Sequence, residues 1–263
     1  MKLMKRITKF LLNVTSVGSI VLIATLNPSQ FAVMKGAIPT VTNGPENPIP
    51  GGPRFIQPRE DMEAPPTPRV RSVRGGCASS TQVSLTALVP KNKIARTVSD
   101  YPTFFFYLPQ TDSELAEFIL EDESGNQIYQ QELTIKNLSG VIGVSIPADK
   151  NVPPLEVGKS YTWKFSVVCD AQDRSSDQFE SGIVRRVELS ADILSELEKA
   201  DPRQKTVIYA EKGIWQDALG TLAAARRANP NHTDLAADWK SLLDSVTLGA
   251  IAKEPIVEIE PQP

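Results

Sequence analysis

A short acidic run at the end of a predicted strand is the segment best suited to chemistry. Asp170, Asp173 and Asp177 place three carboxylates within eight residues, and Arg174 lies between them. Carboxylates can bind a hard cation such as Ca²⁺, and two of them held apart can serve as general acid and base on a glycan. The spacing lacks the features of an EF-hand, and the acids could equally form salt bridges with neighbouring arginines. We therefore predict a structural loop that is also a candidate acidic contact site; metal ligation by Asp170, Asp173 and Asp177 is the open alternative.

Composition excludes a structural zinc site and most catalysis that needs more than one imidazole. The chain has one histidine, His232, and two cysteines, which are too few for a structural zinc site. It contains neither a Gly-x-Ser-x-Gly elbow nor a glycine-rich phosphate loop. His232 falls in a predicted turn between helices, where a capping or solvated role is expected. The sequence predicts no catalytic residue and no cofactor.

Charge is unevenly distributed along the chain. The net charge is −3, yet residues 1–36 carry five basic and no acidic side chains, and residues 77–263 carry 18 basic and 27 acidic ones. An acidic body offers no electrostatic footprint to a phosphate backbone. We expect no nucleic-acid partner.

The N-terminal residues 1–36 resemble an export signal. Four basic residues precede the apolar run Phe10–Leu26, and Asn27-Pro28-Ser29 interrupts it. An uncleaved membrane anchor is the alternative, but about 17 apolar residues is the lower limit for a span. We expect an exported protein, periplasmic or on the cell surface, with no integral membrane span once the signal is removed.

Proline marks the next segment. Nine of the 21 prolines fall between Pro39 and Pro68. Such a stretch buries too little apolar surface to offset its ordering entropy. The sequence therefore predicts a disordered linker over residues 37–76.

Residues 77–189 carry the alternation of β-strands. About seven short apolar runs, separated by turn residues, predict an antiparallel immunoglobulin-like β-sandwich. Within it, the segment that contains Tyr161 and Trp163 resembles a tyrosine corner, in which the tyrosine hydroxyl bonds to nearby backbone. We expect both residues to be structural.

The two cysteines fit an exported protein. Only one pairing is possible, Cys77 with Cys169, and it would close a loop of 92 residues. In the chain-entropy model such a cross-link contributes on the order of 4–5 kcal/mol. Two buried free thiols are the alternative.

After Leu189 the apolar period becomes helical. Four helices are predicted over residues 190–255, before a tail at 256–263. Tyr209, Gly213 and Trp215 resemble one tetratricopeptide hairpin, whose small residues let two helices pack closely. One repeat is too few for a solenoid. We therefore predict an α+β protein whose helical hairpin packs on the sandwich, with a binding groove as the alternative.

Several segments together carry a resemblance to a known family: Leu85–Pro90, Tyr101–Pro109, Cys169–Asp170 with Asp173–Ser175, Tyr209–Glu211 with Gly213–Trp215, and Asn229–Pro230. They resemble the exported cyanobacterial proteins of domain of unknown function 928. The resemblance covers about residues 77–255, implies export, and brings no activity, ligand or catalytic residue with it.

These observations favour a non-enzymatic module of the cell envelope. Its predicted partner is an envelope protein or an envelope glycan. The alternative is a glycan hydrolase that uses paired carboxylates near residues 170–177.

Overall fold

The structure is a computed structural model of the 263-residue chain. It describes residues 51–62, 84–148 and 152–259, all within one compact unit that spans Pro48–Pro263. The predicted export signal and Cys77 lie outside the described residues. Within the described ranges, no helix combines the length and apolar character needed to cross a membrane.

Within the described residues, nine strands form two sheets. The first sheet has the order β1-β3-β6-β9, with strands Thr86–Ala87, Thr103–Leu108, Gly140–Ser145 and Ile256–Val257. The second has the order β2-β8-β7-β4-β5, with strands Ile94–Thr97, Gln178–Arg186, Ser160–Val168, Leu115–Glu121 and Gln127–Thr134.

The prediction of purely antiparallel sheets was wrong, because both sheets are mixed. β2 pairs in parallel with β8, and β9 pairs in parallel with β6. Strands joined by a hairpin must be antiparallel. β2 and β9 instead reach their partners from far along the chain, so hairpin geometry does not dictate their direction. Side-chain alternation predicts which face is buried and carries no information about strand direction.

An aromatic cluster fills the space between the two sheets. Phe104 and Phe106 of β3 meet Phe118 of β4 and Trp163 and Phe165 of β7, all at most 1% exposed. The Phe106 and Phe165 rings stack with centroids 4.3 Å apart. This shared core makes the described β-strands a sandwich-like pair of sheets.

A helical layer covers the outer face of the first sheet. Phe105 and Tyr107 alternate with the inward phenylalanines and pack with the helices. Both faces of β3 are therefore buried, which explains its continuous apolar sequence. The helices are α2 (Ala191–Lys199), α3 (Pro202–Glu211), α4 (Trp215–Ala228) and α5 (Thr233–Asp244), and a short α1 (Arg59–Met62) precedes the sheets.

Helix ends follow local sequence signals. Asp201 and Gln204 form a capping box at the start of α3, with Pro202 in its first turn. Gly213 follows α3 with φ +72°, a left-handed conformation that glycine adopts without strain. His232 occupies the N-cap position of α5, but its side chain makes no capping hydrogen bond.

Two predicted boundaries need correction. Residues 51–62, predicted to belong to a disordered linker, lie against the folded unit; we call them the strap. The Ile56 N–H donates to the Ala210 carbonyl oxygen at 3.0 Å, and the Phe55 N–H donates to Ser245 Oγ at 3.0 Å. In the predicted tail 256–263, Ile256–Val257 forms β9. Both segments pair with residues that are distant in the sequence, and amino-acid composition does not predict such contacts.

Candidate functional site

The acidic loop is held by its own side chains. Asp177 is buried and accepts hydrogen bonds from the Cys169 N–H at 3.0 Å and from Arg174 Nε at 2.5 Å. Arg174 also reaches Glu117 on β4 at 3.1 Å. The hydrogen bond that Arg174 donates to Asp177 raises the pKa of the Arg174 guanidinium. Asp177 and Arg174 therefore fasten the loop to the second sheet.

The other two acids of this loop make short local contacts. Asp170 accepts from the Gln172 N–H at 2.8 Å, and Asp173 accepts from the Ser175 N–H at 3.0 Å. The hydrogen bonds from Ser175 lower the pKa of Asp173. In the part of the chain that the structure describes, no group of three or more histidine, cysteine or acidic side chains is arranged to hold a metal ion. The structure thus supports a structural role for this loop and brings no observation in favour of glycan hydrolysis.

Removing Asp177 is expected to cost more stability than removing Asp170. Asp177→Ala leaves the Cys169 N–H without its acceptor and Arg174 without its nearest carboxylate, which should lower the free energy of unfolding by about 1–3 kcal/mol. Asp170→Ala removes one exposed contact and should change it by at most about 0.5 kcal/mol. Urea unfolding of both variants tests this. Equal losses of unfolding free energy in the two variants would show that the buried contacts of Asp177 stabilise the fold no more than the exposed contact of Asp170.

β7 carries the two aromatics, Tyr161 and Trp163, that the sequence predicts to be structural. Tyr161 Oη accepts a hydrogen bond from the Glu156 N–H at 2.9 Å, five residues upstream. This is the backbone contact expected of a tyrosine corner. Trp163 is 1% exposed within the core between the sheets.

Cys169 is half-buried at the end of β7 and is not a free thiol. Cys77 lies outside the described residues. The pairing of these two cysteines therefore stays a prediction.

The residues that resemble a tetratricopeptide hairpin also hold the strap. Trp215 Nε1 donates to the Leu88 carbonyl oxygen at 2.7 Å, and its ring meets Phe55 edge-on with centroids 5.1 Å apart. A Cβ on Gly213 would lie 2.5 Å from Pro58 Cγ, so only glycine lets the strap approach here. Tyr209 is half-buried against the same apolar cluster as Phe55 and Trp215, and this burial raises the pKa of its hydroxyl.

A buried carboxylate fixes the far end of the strap. Asp61 is 2% exposed and accepts hydrogen bonds from Arg96 of β2 at 2.7 Å and Arg185 of β8 at 3.2 Å. Asn92 Nδ2 donates to the Asp61 carbonyl oxygen at 2.8 Å. Burial of a carboxylate is costly unless it is paired, and these two arginines supply the pairing. The strap therefore joins the helical layer to the second sheet.

An open groove lies between α2 and α3. It encloses about 620 Å³. Each helix contributes one face, since the contributing positions recur every three or four residues. The side chains that give the groove its character are Asp192, Glu196 and Lys199 from α2 and Val207, Ile208 and Glu211 from α3.

A smaller polar cavity of about 180 Å³ lies at the start of α4, where β2 and the loop before β3 meet the helix. Asp217 accepts hydrogen bonds there from Thr97 Oγ1 at 2.8 Å and the Val98 N–H at 3.0 Å. Burial raises the pKa of Asp217 to about 6, although both hydrogen bonds act in the opposite direction. We call this cavity the α4 pocket; its polar lining comprises Thr97, Ser99, Thr103, Gln216, Asp217 and Thr221.

A binding groove on the helical hairpin was expected only as an alternative, and no residue pattern predicted the α4 pocket. An acid in the first turn of a helix is ordinary, because it complements the helix dipole. The one signal that could have indicated burial of Asp217 is its apolar neighbours in the sequence. These are Trp215, Ala218 and Leu219, and all three are fully buried. A polar residue among such neighbours is a candidate for burial.

Fold and sites together define an α+β domain in which two mixed sheets share a core and a helical layer carries a groove. The chain belongs to the family described as Domain of Unknown Function (DUF928), whose model matches residues 69–256. Among solved structures, the fn3 domain of the human collagen alpha-1(XX) chain is similar at 13% identity and a TM-score of 0.27; the match covers 45% of this chain and 93% of that chain. No curated protein matches the chain.

Proposed function

We propose that this protein is a non-enzymatic binding module of the cell envelope, and that the groove between α2 and α3 binds a basic segment of another protein. The observation that carries the proposal is the groove itself, an open cavity of about 620 Å³ formed by two helix faces. Clefts between helices are common places for ligands and peptide segments to bind.

The charge of the groove selects the partner. Among the described residues that line it are three acids, Asp192, Glu196 and Glu211, and one base, Lys199. This excess of negative charge favours a lysine- or arginine-bearing segment and disfavours an acidic one. It also agrees with the acidic balance of residues 77–263.

The packing of α2 leaves it available to a partner. Leu197 is its one buried residue among the nine described, and Leu194 is 47% exposed. Val207 and Ile208 supply an apolar floor on the α3 side. A segment that places aliphatic side chains over this floor and basic ones beside the acids would match both features.

A defined pair of peptides tests the proposal. A helical lysine–leucine peptide should bind the full-length protein, with an affinity that falls as salt is added; a glutamate–leucine peptide of the same length should not. Replacing both Glu196 and Glu211 by lysine should weaken binding of the basic peptide at least about tenfold.

Glu198→Lys is the matched control. Glu198 lies on the same helix and is exposed, but it does not line the groove. Glu198→Lys makes the same change of charge as Glu196→Lys alone and should weaken binding much less than that single variant. Equal losses of peptide affinity in Glu196→Lys and Glu198→Lys would show that binding depends only on overall charge, which would contradict binding in the groove.

The envelope location is part of the same proposal. It is supported by the basic and apolar N-terminus and by the predicted pairing of Cys77 with Cys169. Cell fractionation should place the protein in the periplasm or on the surface. Unreduced protein should migrate differently from reduced protein on electrophoresis, and two alkylatable thiols without reductant would contradict the disulfide.

A further inference from the structure

The α4 pocket contains two buried acceptors that the fold does not fully use. Gln216 is 4% exposed, and its Nε2 donates to the Thr103 carbonyl oxygen at 3.0 Å. Its Oε1 is buried and has no hydrogen-bond partner. An unsatisfied buried acceptor costs roughly 1–3 kcal/mol, so a ligand that donates a hydrogen bond here would relieve that cost.

Asp217 is the second acceptor. Its carboxylate receives hydrogen bonds from a neutral hydroxyl and a backbone N–H, and no described residue forms a salt bridge with it. Arg186 of β8 acts on it only through its charge, because that guanidinium pairs with Asp100. The pocket therefore holds a buried carboxylate that forms no salt bridge with any residue that the structure describes.

From this arrangement we propose that the α4 pocket binds a primary ammonium group. An ammonium carries one positive charge and three N–H donors. It would form an ion pair with the Asp217 carboxylate and donate a hydrogen bond to Gln216 Oε1. Among the described residues, the carboxylate has no salt-bridge partner and the amide oxygen has no donor. The hydroxyls of Ser99 and Thr221, which line the same cavity, are further acceptors within the pocket.

The size of the pocket limits the ligand. A volume of about 180 Å³ equals that of about six water molecules in the liquid. This accommodates an ammonium group with a short alkyl chain, either from a free amine or from a lysine side chain. A folded partner or a sugar chain would have to remain outside it.

Binding should depend on pH through the charge of Asp217. The charged or titratable groups that act on this carboxylate are Arg186 of β8, which lowers its pKa, and Tyr209 of α3, whose own pKa the carboxylate raises. The affinity for an ammonium should be full above pH 7 and fall as Asp217 becomes protonated. At pH 5, about one unit below the pKa of Asp217, it should be about tenfold weaker.

Calorimetric titration of the full-length protein with ethylammonium chloride at constant ionic strength tests the proposal. A saturable heat at pH 7.5 is expected, and tetramethylammonium, which has the charge but no N–H, should give none. Asp217→Asn should lower the affinity for ethylammonium at least about tenfold. Asp112→Asn, which removes an exposed acid elsewhere, should leave it unchanged.

The same titration with Nα-acetyl-lysine methylamide identifies the source of the ammonium. Binding of ethylammonium indicates a free amine, and binding of the lysine derivative alone indicates a peptide side chain; either outcome supports the proposal. Equal affinity for tetramethylammonium, or no saturable heat with either amine, would overturn it and leave water as the occupant. If Asp217→Asn does not fold, wild-type binding that does not change between pH 7.5 and pH 5 overturns it equally.

Discussion

Trp215→Ala is expected to lower the free energy of unfolding by about 3–5 kcal/mol, the usual loss when a buried tryptophan is truncated. Trp215 is 0% exposed. Its ring fills the space between β3, α4 and the strap, and its Nε1 satisfies the Leu88 carbonyl oxygen at 2.7 Å. The variant therefore creates a cavity and leaves a buried acceptor unpaired. Urea unfolding measures the loss.

Two further variants separate these causes. Trp215→Phe keeps an aromatic ring but not the N–H, and should cost about 1–3 kcal/mol. Leu194→Ala truncates a side chain that is 47% exposed and should cost at most about 0.5 kcal/mol. Trypsin gives a second readout, since Phe55 loses its ring partner and the bond after Arg54 should be cut faster in Trp215→Ala. A loss below about 1 kcal/mol in Trp215→Ala would contradict the packing described.

Asp217 should make the protein less stable as the pH rises from about 4 to about 6. Its pKa is about 6 in the folded state and 3.8 as the reference value. Between these values the folded state binds a proton that the unfolded state has released, so stability falls with increasing pH. About two pKa units correspond to about 3 kcal/mol. This contribution is fully present below pH 4 and is lost above pH 6.

The difference in unfolding free energy between the wild type and Asp217→Asn isolates this effect. Groups that titrate in both proteins cancel, so the advantage of the variant should grow by about 3 kcal/mol across the window. Thr97→Val removes a hydrogen bond that lowers the pKa of Asp217. It should move the upper limit of the window to higher pH. A difference that does not vary with pH would show that Asp217 is not buried as described.

Sequence reasoning predicted the elements whose signals are local. Short strands such as β3, β4 and β5 form within residues 77–189, and the four helices predicted over residues 190–255 form as α2 to α5. In each case the residues that define the element also bury its apolar face. Periodicity is then sufficient, because local preference and tertiary packing agree.

Elements that depend on distant partners were not predictable. β2 is four residues long and exists because β8 accepts it as a parallel neighbour. β1 is only two residues long, Thr86–Ala87, and exists because it pairs with β3. Pairing of such short segments depends on which strand edges are free in the folded sheets. A single sequence does not show which edges those are.

The candidate sites likewise divide into contacts that depend on local sequence and cavities that depend on long-range packing. The contacts of Asp177 follow from a short turn and could be anticipated among the alternatives for its loop. The groove and the α4 pocket arise where α2 meets α3 and where β2 meets α4. Interfaces between elements are set by packing angles and loop lengths, so the cavities at these interfaces cannot be predicted from the sequence alone.

The strap has a consequence for where this domain begins. The family match starts at residue 69, after Phe55 and Asp61 have already made their contacts. A protein trimmed to that boundary would retain every strand, yet Arg96 and Arg185 would lose the carboxylate between them, and Trp215 would lose an aromatic neighbour. The unit that folds is therefore longer at its N-terminal side than the unit that the family match delimits. Any study of the isolated domain should include the chain from Pro48 onward.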